Sequence, residues 1–131
     1  MYLSVDGFTW IMSQRLVASD KVTYAQLGNC VVIHDGVIVA GASYDKTASD
    51  VQTGNATSCL MIDLTVAMLY TGSVYIYRTF NNGGTWSEVQ KLLPTDGLAD
   101  DRFGEALNLQ SGFLTIGAHL DDNAMGLNAG K

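Results

Sequence analysis

The sequence overlays on itself at an offset of 76 residues, the spacing of Trp10 and Trp86, and the overlay runs without a gap from residue 10 to residue 45. Gln14, Leu16, Asp20, Gly28, Gly36, Gly41, Ala42 and Asp45 recur as Gln90, Leu92, Asp96, Gly104, Gly112, Gly117, Ala118 and Asp121. Arg15 and Lys91, Ser19 and Thr95, Ile33 and Leu109, and Ile38 and Leu114 change identity but keep their chemistry. Recurrence at fixed spacing constrains the fold more than composition does. A unit this small cannot bury its own apolar face and must stack on a neighbour.

Within each repeat, short apolar runs alternate with Gly and Asp turns, and Pro94 is the only proline. That is a β pattern. The runs predict strands over 11–17, 27–34 and 37–43 in the first repeat and over 87–93, 103–110 and 113–119 in the second. Asp35-Gly36 and Ser111-Gly112 are suited to two-residue hairpin turns, which require positive φ. A further strand is expected over 72–78, with Val74 and Ile76 on one face and Tyr75 and Tyr77 on the other.

Four antiparallel strands in this order make the blade of a β-propeller. The expected fold is all-β: two tandem four-stranded antiparallel blades of a partial propeller, the first carrying an insertion. Residues 1–9 are expected to be the terminal strand of a neighbouring blade, because Met1-Tyr2-Leu3-Ser4-Val5 before the Asp6-Gly7 turn and Trp10 mirrors Val74-Tyr75-Ile76-Tyr77 before the Asn82-Gly83-Gly84 turn and Trp86. Residues 10–80 form blade one, and 81–131 form blade two lacking its last strand. Ala42 and Gly72 are 30 positions apart, against 12 for Ala118 and Gly130, so the first repeat holds an excess of 18 residues, an insertion near 48–71. Two blades do not close a ring of about four to eight, so the chain is expected to be a fragment or to associate with further repeats or copies of itself.

Trp86, Gln90, Leu92, the run Thr95-Asp96-Gly97-Leu98-Ala99-Asp100-Asp101-Arg102-Phe103-Gly104 and the run Phe113-Leu114-Thr115-Ile116-Gly117-Ala118 together resemble the FG-GAP repeat, the blade unit of integrin α-subunit propellers and of many bacterial and protist surface proteins. The first repeat resembles a weakened form: Leu27-Gly28 stands for Phe-Gly, Gly41-Ala42-Ser43 for Gly-Ala-Pro, and Gly72-Ser73-Val74-Tyr75-Ile76-Tyr77 matches the closing strand. His119 and Ser43 replace the motif's proline, and the Asp-x-Asp-x-Asp-Gly calcium loop of integrins is missing from both repeats. The resemblance implies a noncatalytic binding or adhesion module, extracellular or at the cell surface, whose loops contact a protein or glycan and can hold calcium. The alternative it implies is the scaffold propeller of a larger secreted enzyme.

Asp96, Asp100 and Asp101 share one loop and are the candidate calcium ligands, since hard cations take several converging oxygens; turn formation and backbone capping are the competing roles. Asp45, Asp50, Asp121, Asp122 and Asn123 are expected on a solvated acidic rim. His34 and His119 lack zinc spacing. Ser43, His119 and the aspartates show no nucleophile elbow or phosphate loop, so an enzyme is not expected. Trp10 and Trp86 are expected to pack between blades.

A net charge of -6 disfavours nucleic acid, whose phosphates need Lys and Arg clusters. The apolar run 59–70, interrupted by Asp63, is too short to span a membrane. The first residues lack the pattern of a signal peptide. Cys30 and Cys59 are too few for a disulfide framework, and Cys30 is expected as a buried free thiol. Asn55-Ala56-Thr57 fits the glycosylation pattern, which matters only in a eukaryotic secretory route.

Overall fold

A computed structural model describes residues 1–4, 6–21, 23–46, 70–98, 100–122 and 126–131. Most of the insertion, with Cys59 and the Asn55 triplet, lies outside the described residues, as do Asp50 and Asn123. Among the described residues every regular element is a strand: β1 (Tyr2–Ser4), β2 (Trp10–Met12), β3 (Val31–His34), β4 (Val37–Ala42), β5 (Ser73–Thr79), β6 (Trp86–Leu92), β7 (Ala106–Gln110) and β8 (Phe113–Gly117). The chain is all-β.

The strands form three antiparallel sheets, β1–β2, β3–β4–β5–β6 and β7–β8. This grouping cuts across the repeats. Trp86–Leu92 opens the second repeat, yet it pairs with β5 through a register running from Val74↔Leu92 to Thr79↔Trp86, with a bulge between Ile76 and Tyr77. The N-terminal hairpin repeats that geometry, with Ser4↔Trp10 matching Thr79↔Trp86. Each repeat therefore contributes its first strand to the sheet before it.

Hairpin chemistry sets the β3–β4 and β7–β8 pairs. Asp35 and Gly36 have φ of 45° and 69°, and Ser111 and Gly112 have 50° and 83°, the double positive φ of a tight primed turn. The expected strands over 27–34 and 103–110 start late, because Gly28 and Gly104 are at φ of 93° and 90° and leave the extended region. Each instead donates its N–H across the hairpin, Gly28 to Gly41 O at 2.8 Å and Gly104 to Gly117 O at 3.1 Å.

The strand expected over 11–17 is cut to Trp10–Met12. Beyond it Gln14 turns to the neighbouring strand: its Nε2 donates to Trp86 O and its Oε1 accepts from Trp86 N, both at 2.8 Å. The connection that follows lays Leu16, Ala18, Ala25 and Leu27 over Ile38, Ala40, Tyr75, Tyr77 and Trp86, and this is the main core. Tyr75 and Tyr77 share a face, as alternation requires, but the opposite face of β5 is covered as well, and Val74 has no exposed surface.

The sheets meet where backbone touches backbone. A Cβ on Gly41 would lie 1.9 Å from Gly104 O, and one on Gly72 would lie 2.2 Å from Phe103 O. Glycine at these positions lets the Phe-Gly segment of the second repeat lie directly on the Gly-Ala segment of the first.

Candidate functional site

Asp45, expected on a solvated rim, is fully buried. Its Oδ2 accepts from Ser73 Oγ at 2.5 Å, with Tyr75 OH at 2.9 Å and Lys91 Nζ at 2.7 Å. Lys91 also meets Asp20 at 2.5 Å, and Tyr75 OH donates to Asp20 at 2.7 Å. Burial opposes the charge on Lys91, but the bonds to Asp20 and Asp45 outweigh it and raise its pKa above the ordinary lysine value. Burial likewise pushes Asp20 up, and the bonds from Lys91 and Tyr75 outweigh it and hold that carboxyl below the ordinary range. Burial raises the Tyr77 hydroxyl to about 12. This network joins the two repeats.

The second repeat builds a related arrangement. Gly130 N donates to Asp121 O as Gly72 N donates to Asp45 O, and Lys131 exchanges backbone bonds with Ala118 where Ser73 faces Ala42. Lys131 Nζ pairs with Asp96 and lies 3.8 Å from Asp121, which is also buried and not on a rim. Half-buried Asp122 accepts from Asn128 N at 2.7 Å.

The three candidate calcium ligands are held apart in role. Asp96 is taken up by Lys131. Asp100 is exposed at a φ of 69°. Asp101 is buried and accepts from Leu98 N at 2.6 Å, while its Oδ1 finds no hydrogen-bond partner of good geometry among the described residues. Burial raises the Asp101 carboxyl pKa, the Leu98 bond opposing it and Asp121 adding to it. Among the described residues no three His, Cys, Asp or Glu side chains converge as metal ligands.

His34 Nε2 lies 3.2 Å from Asp35 Oδ2 at the β3–β4 turn, and His119 Nδ1 lies 2.9 Å from Glu105 Oε2, off the line of a hydrogen bond. Cys30 is a free thiol and half-buried, not fully buried. Trp86 is buried as expected, but Trp10 is 64% exposed, because no described strand covers the outer side of its hairpin.

The feature least visible in the sequence lies at the hairpin turns. Phe8 and Phe80 are 90% and 81% exposed. The turns that carry them are tied down: Asp6 accepts from Phe8 N and Thr9 N at 2.9 and 2.7 Å, and these bonds lower its pKa to about 2. In the β5–β6 turn, Asn81 Oδ1 accepts from Thr85 N at 2.7 Å and Thr79 Oγ1 from Gly83 N at 2.8 Å. Beside Phe80 an open cleft of about 480 Å³ runs between the N-terminal hairpin and the β3–β4 turn, lined by Met1, Leu3, Ile33, Asp35, Asn82 and Trp86 among others. An aromatic flanking an Asp-Gly or Asn-Gly turn was the available signal for these residues.

Stacked antiparallel sheets repeating at fixed sequence spacing, with a glycine–glycine bond closing each repeat, define an all-β repeat protein. The FG-GAP repeat model matches residues 10–56 and 86–131, most of the chain, and the protein belongs to the FG-GAP repeat family. Comparison with curated proteins and with solved structures finds no match. Among the described residues no helix is long and apolar enough to cross a membrane.

Proposed function

We propose that this chain is a noncatalytic recognition module of a β-propeller, extracellular or at the cell surface, that binds a protein or glycan partner through its hairpin turns. In this reading β3–β4–β5–β6 is one blade, β1–β2 the outer half of the blade before it and β7–β8 the inner half of the blade after it. The observation that carries the proposal is the pair of exposed rings, Phe8 and Phe80, on hydrogen-bonded turns, with the cleft beside Phe80. Its volume falls within the range of about 300–1,000 Å³ usual for ligand sites. Rigid aromatic edges flanked by amide and carboxylate groups suit a sugar ring or an extended peptide, and aromatic anchors commonly dominate such contacts.

Calcium is kept apart from this contact, because a cation in the Asp96–Asp101 loop would have to displace Lys131 and turn Asp101 out of the interior. The test is binding of the chain to a glycan array and to immobilised cell-surface protein. Phe80→Ala and Phe8→Ala are expected to weaken binding about tenfold or more with folding intact. Retained binding in both variants would place the contact elsewhere, and turnover of a glycan or peptide would favour the enzyme-scaffold alternative.

A further inference from the structure

The junction between the repeats has three parts: β5 adds to the edge of β4, Gln14 clamps the backbone of Trp86, and Lys91 supplies the cation for Asp20 and Asp45. Each part recurs 76 residues away without that partner among the described residues. Gln90, the mate of Gln14, is exposed and makes no side-chain hydrogen bond among the described residues. Trp10, whose mate Trp86 is clamped, is 64% exposed. Arg15, the mate of Lys91, is exposed and makes no ion pair among the described residues. Among the described strands, β8 pairs with β7 alone.

We propose that a second copy of this chain docks head to tail, its β1 adding to the free edge of β8, so that β7–β8 of one copy and β1–β2 of the next complete a four-stranded sheet like β3–β4–β5–β6. Gln90 of the first copy then clamps Trp10 of the second, and Arg15 of the second meets Asp96 and Asp121 of the first. The charges favour this occupant. Asp96, Asp101 and Asp121 share Lys131 as their one cation among the described residues, whereas Asp20 and Asp45 have Lys91 to themselves.

The register is defined. Leu3 and Tyr2 stand where Arg78 and Tyr77 stand in β5, so Val37↔Arg78 and Ile38↔Tyr77 translate into Phe113↔Leu3 and Leu114↔Tyr2. Lys131 holds the place of Ser73 beside Ala118, and Met1 of the second copy would take that of Ile76. A head-to-tail contact generates a ring if the rotation closes. Each copy adds two blades' worth of strands, and rings of about four to eight blades need about two to four copies.

The inference rests on the blade reading given above, and light scattering coupled to size exclusion, with far-UV circular dichroism, separates the two. The 131-residue chain is expected to give a discrete mass of two or more times 14.0 kDa. Arg15→Glu should raise the apparent dissociation constant at least about tenfold while keeping the β spectrum, and adding Asp96→Lys should restore assembly by inverting the pair. A β-rich monomer would overturn the assembly and leave the blades standing, and a helical or unstructured spectrum would overturn both. An aggregate of no defined mass, or an oligomer indifferent to Arg15→Glu, would also overturn the assembly.

Discussion

Lys91 Nζ lies 2.7 Å from Asp45 Oδ2, a carboxylate with no exposed surface, although the two residues belong to different repeats. The second repeat thus supplies the charge that the first needs in order to bury its own turn. Breaking one partner of such a pair leaves an uncompensated charge, which costs about 3–5 kcal/mol. Lys91→Met is expected to lower the unfolding free energy in urea by that amount, and Lys91→Met combined with Asp45→Asn to recover most of it. A single-variant loss below about 1 kcal/mol, the range of an exposed pair, would show that the network is solvated.

The same network sets a pH window. Asp20 is held below its ordinary pKa, so its contribution is present above the unfolded value of 3.8 and is lost as pH falls through the folded one. Lys91 is raised, so its contribution is complete below 10.5 and is lost as pH rises through its higher folded value. The contribution of this network to the thermal midpoint is expected to be constant between these limits and to fall on both sides. In Lys91→Met the alkaline fall should shrink to the part that the buried Tyr77 hydroxyl, raised to about 12, still causes.

Asp101 works in the opposite direction. Its carboxyl is raised by burial, so the folded state holds the proton longer than the unfolded state, and its effect on stability worsens as pH rises from 3.8 through the folded pKa. Asp101→Asn keeps an oxygen for Leu98 N–H and removes the charge. It should stabilise the protein by about 1 kcal/mol at neutral pH, with the gain vanishing at acid pH. A loss at neutral pH would show that Oδ1 is paired after all.

Backbone proximity predicts an asymmetry among glycines. Gly41→Ala places a methyl group 1.9 Å from Gly104 O and is expected to cost about 3 kcal/mol or more, at the upper end of overpacking effects. Gly112→Ala has open space at the β7–β8 turn and incurs only the positive-φ cost of about 1 kcal/mol. Equal losses in denaturant melts would contradict the close contact between repeats.

Gln14→Ala removes both bonds to the Trp86 backbone and should cost about 1–3 kcal/mol. Gln90→Ala, on an exposed residue, should leave the stability of the single chain within about 0.5 kcal/mol.

For calcium the expected outcome is no rise in thermal midpoint at millimolar concentration. An intact site filled well above its dissociation constant would add about 2.7 kcal/mol, a shift of several degrees, and a rise of that size would mean that Lys131 had released Asp96.

Residue patterns made much of this fold legible. The repeat at 76, the two tight turns and the runs that became β4, β5, β6 and β8 followed from local rules: β-branched and aromatic side chains favour strands, and Gly accepts positive φ. The acid positions were legible too, but their environment was not. Asp45 reads as a surface residue until Ser73, Tyr75 and Lys91, all distant in sequence, arrive around it. Phe8 and Phe80 carried no assignment in the sequence, and the turns place them outward.

Sequence alone therefore determined where strands and turns lie, because φ preference and side-chain alternation act over a few residues. Tertiary structure decided that Trp86–Leu92 joins the sheet of the preceding repeat and that Asp45 is neutralised by Lys91. Both outcomes depend on hydrogen bonds and burial between segments tens of residues apart, where identity between repeats carries no record of which edge each strand will meet.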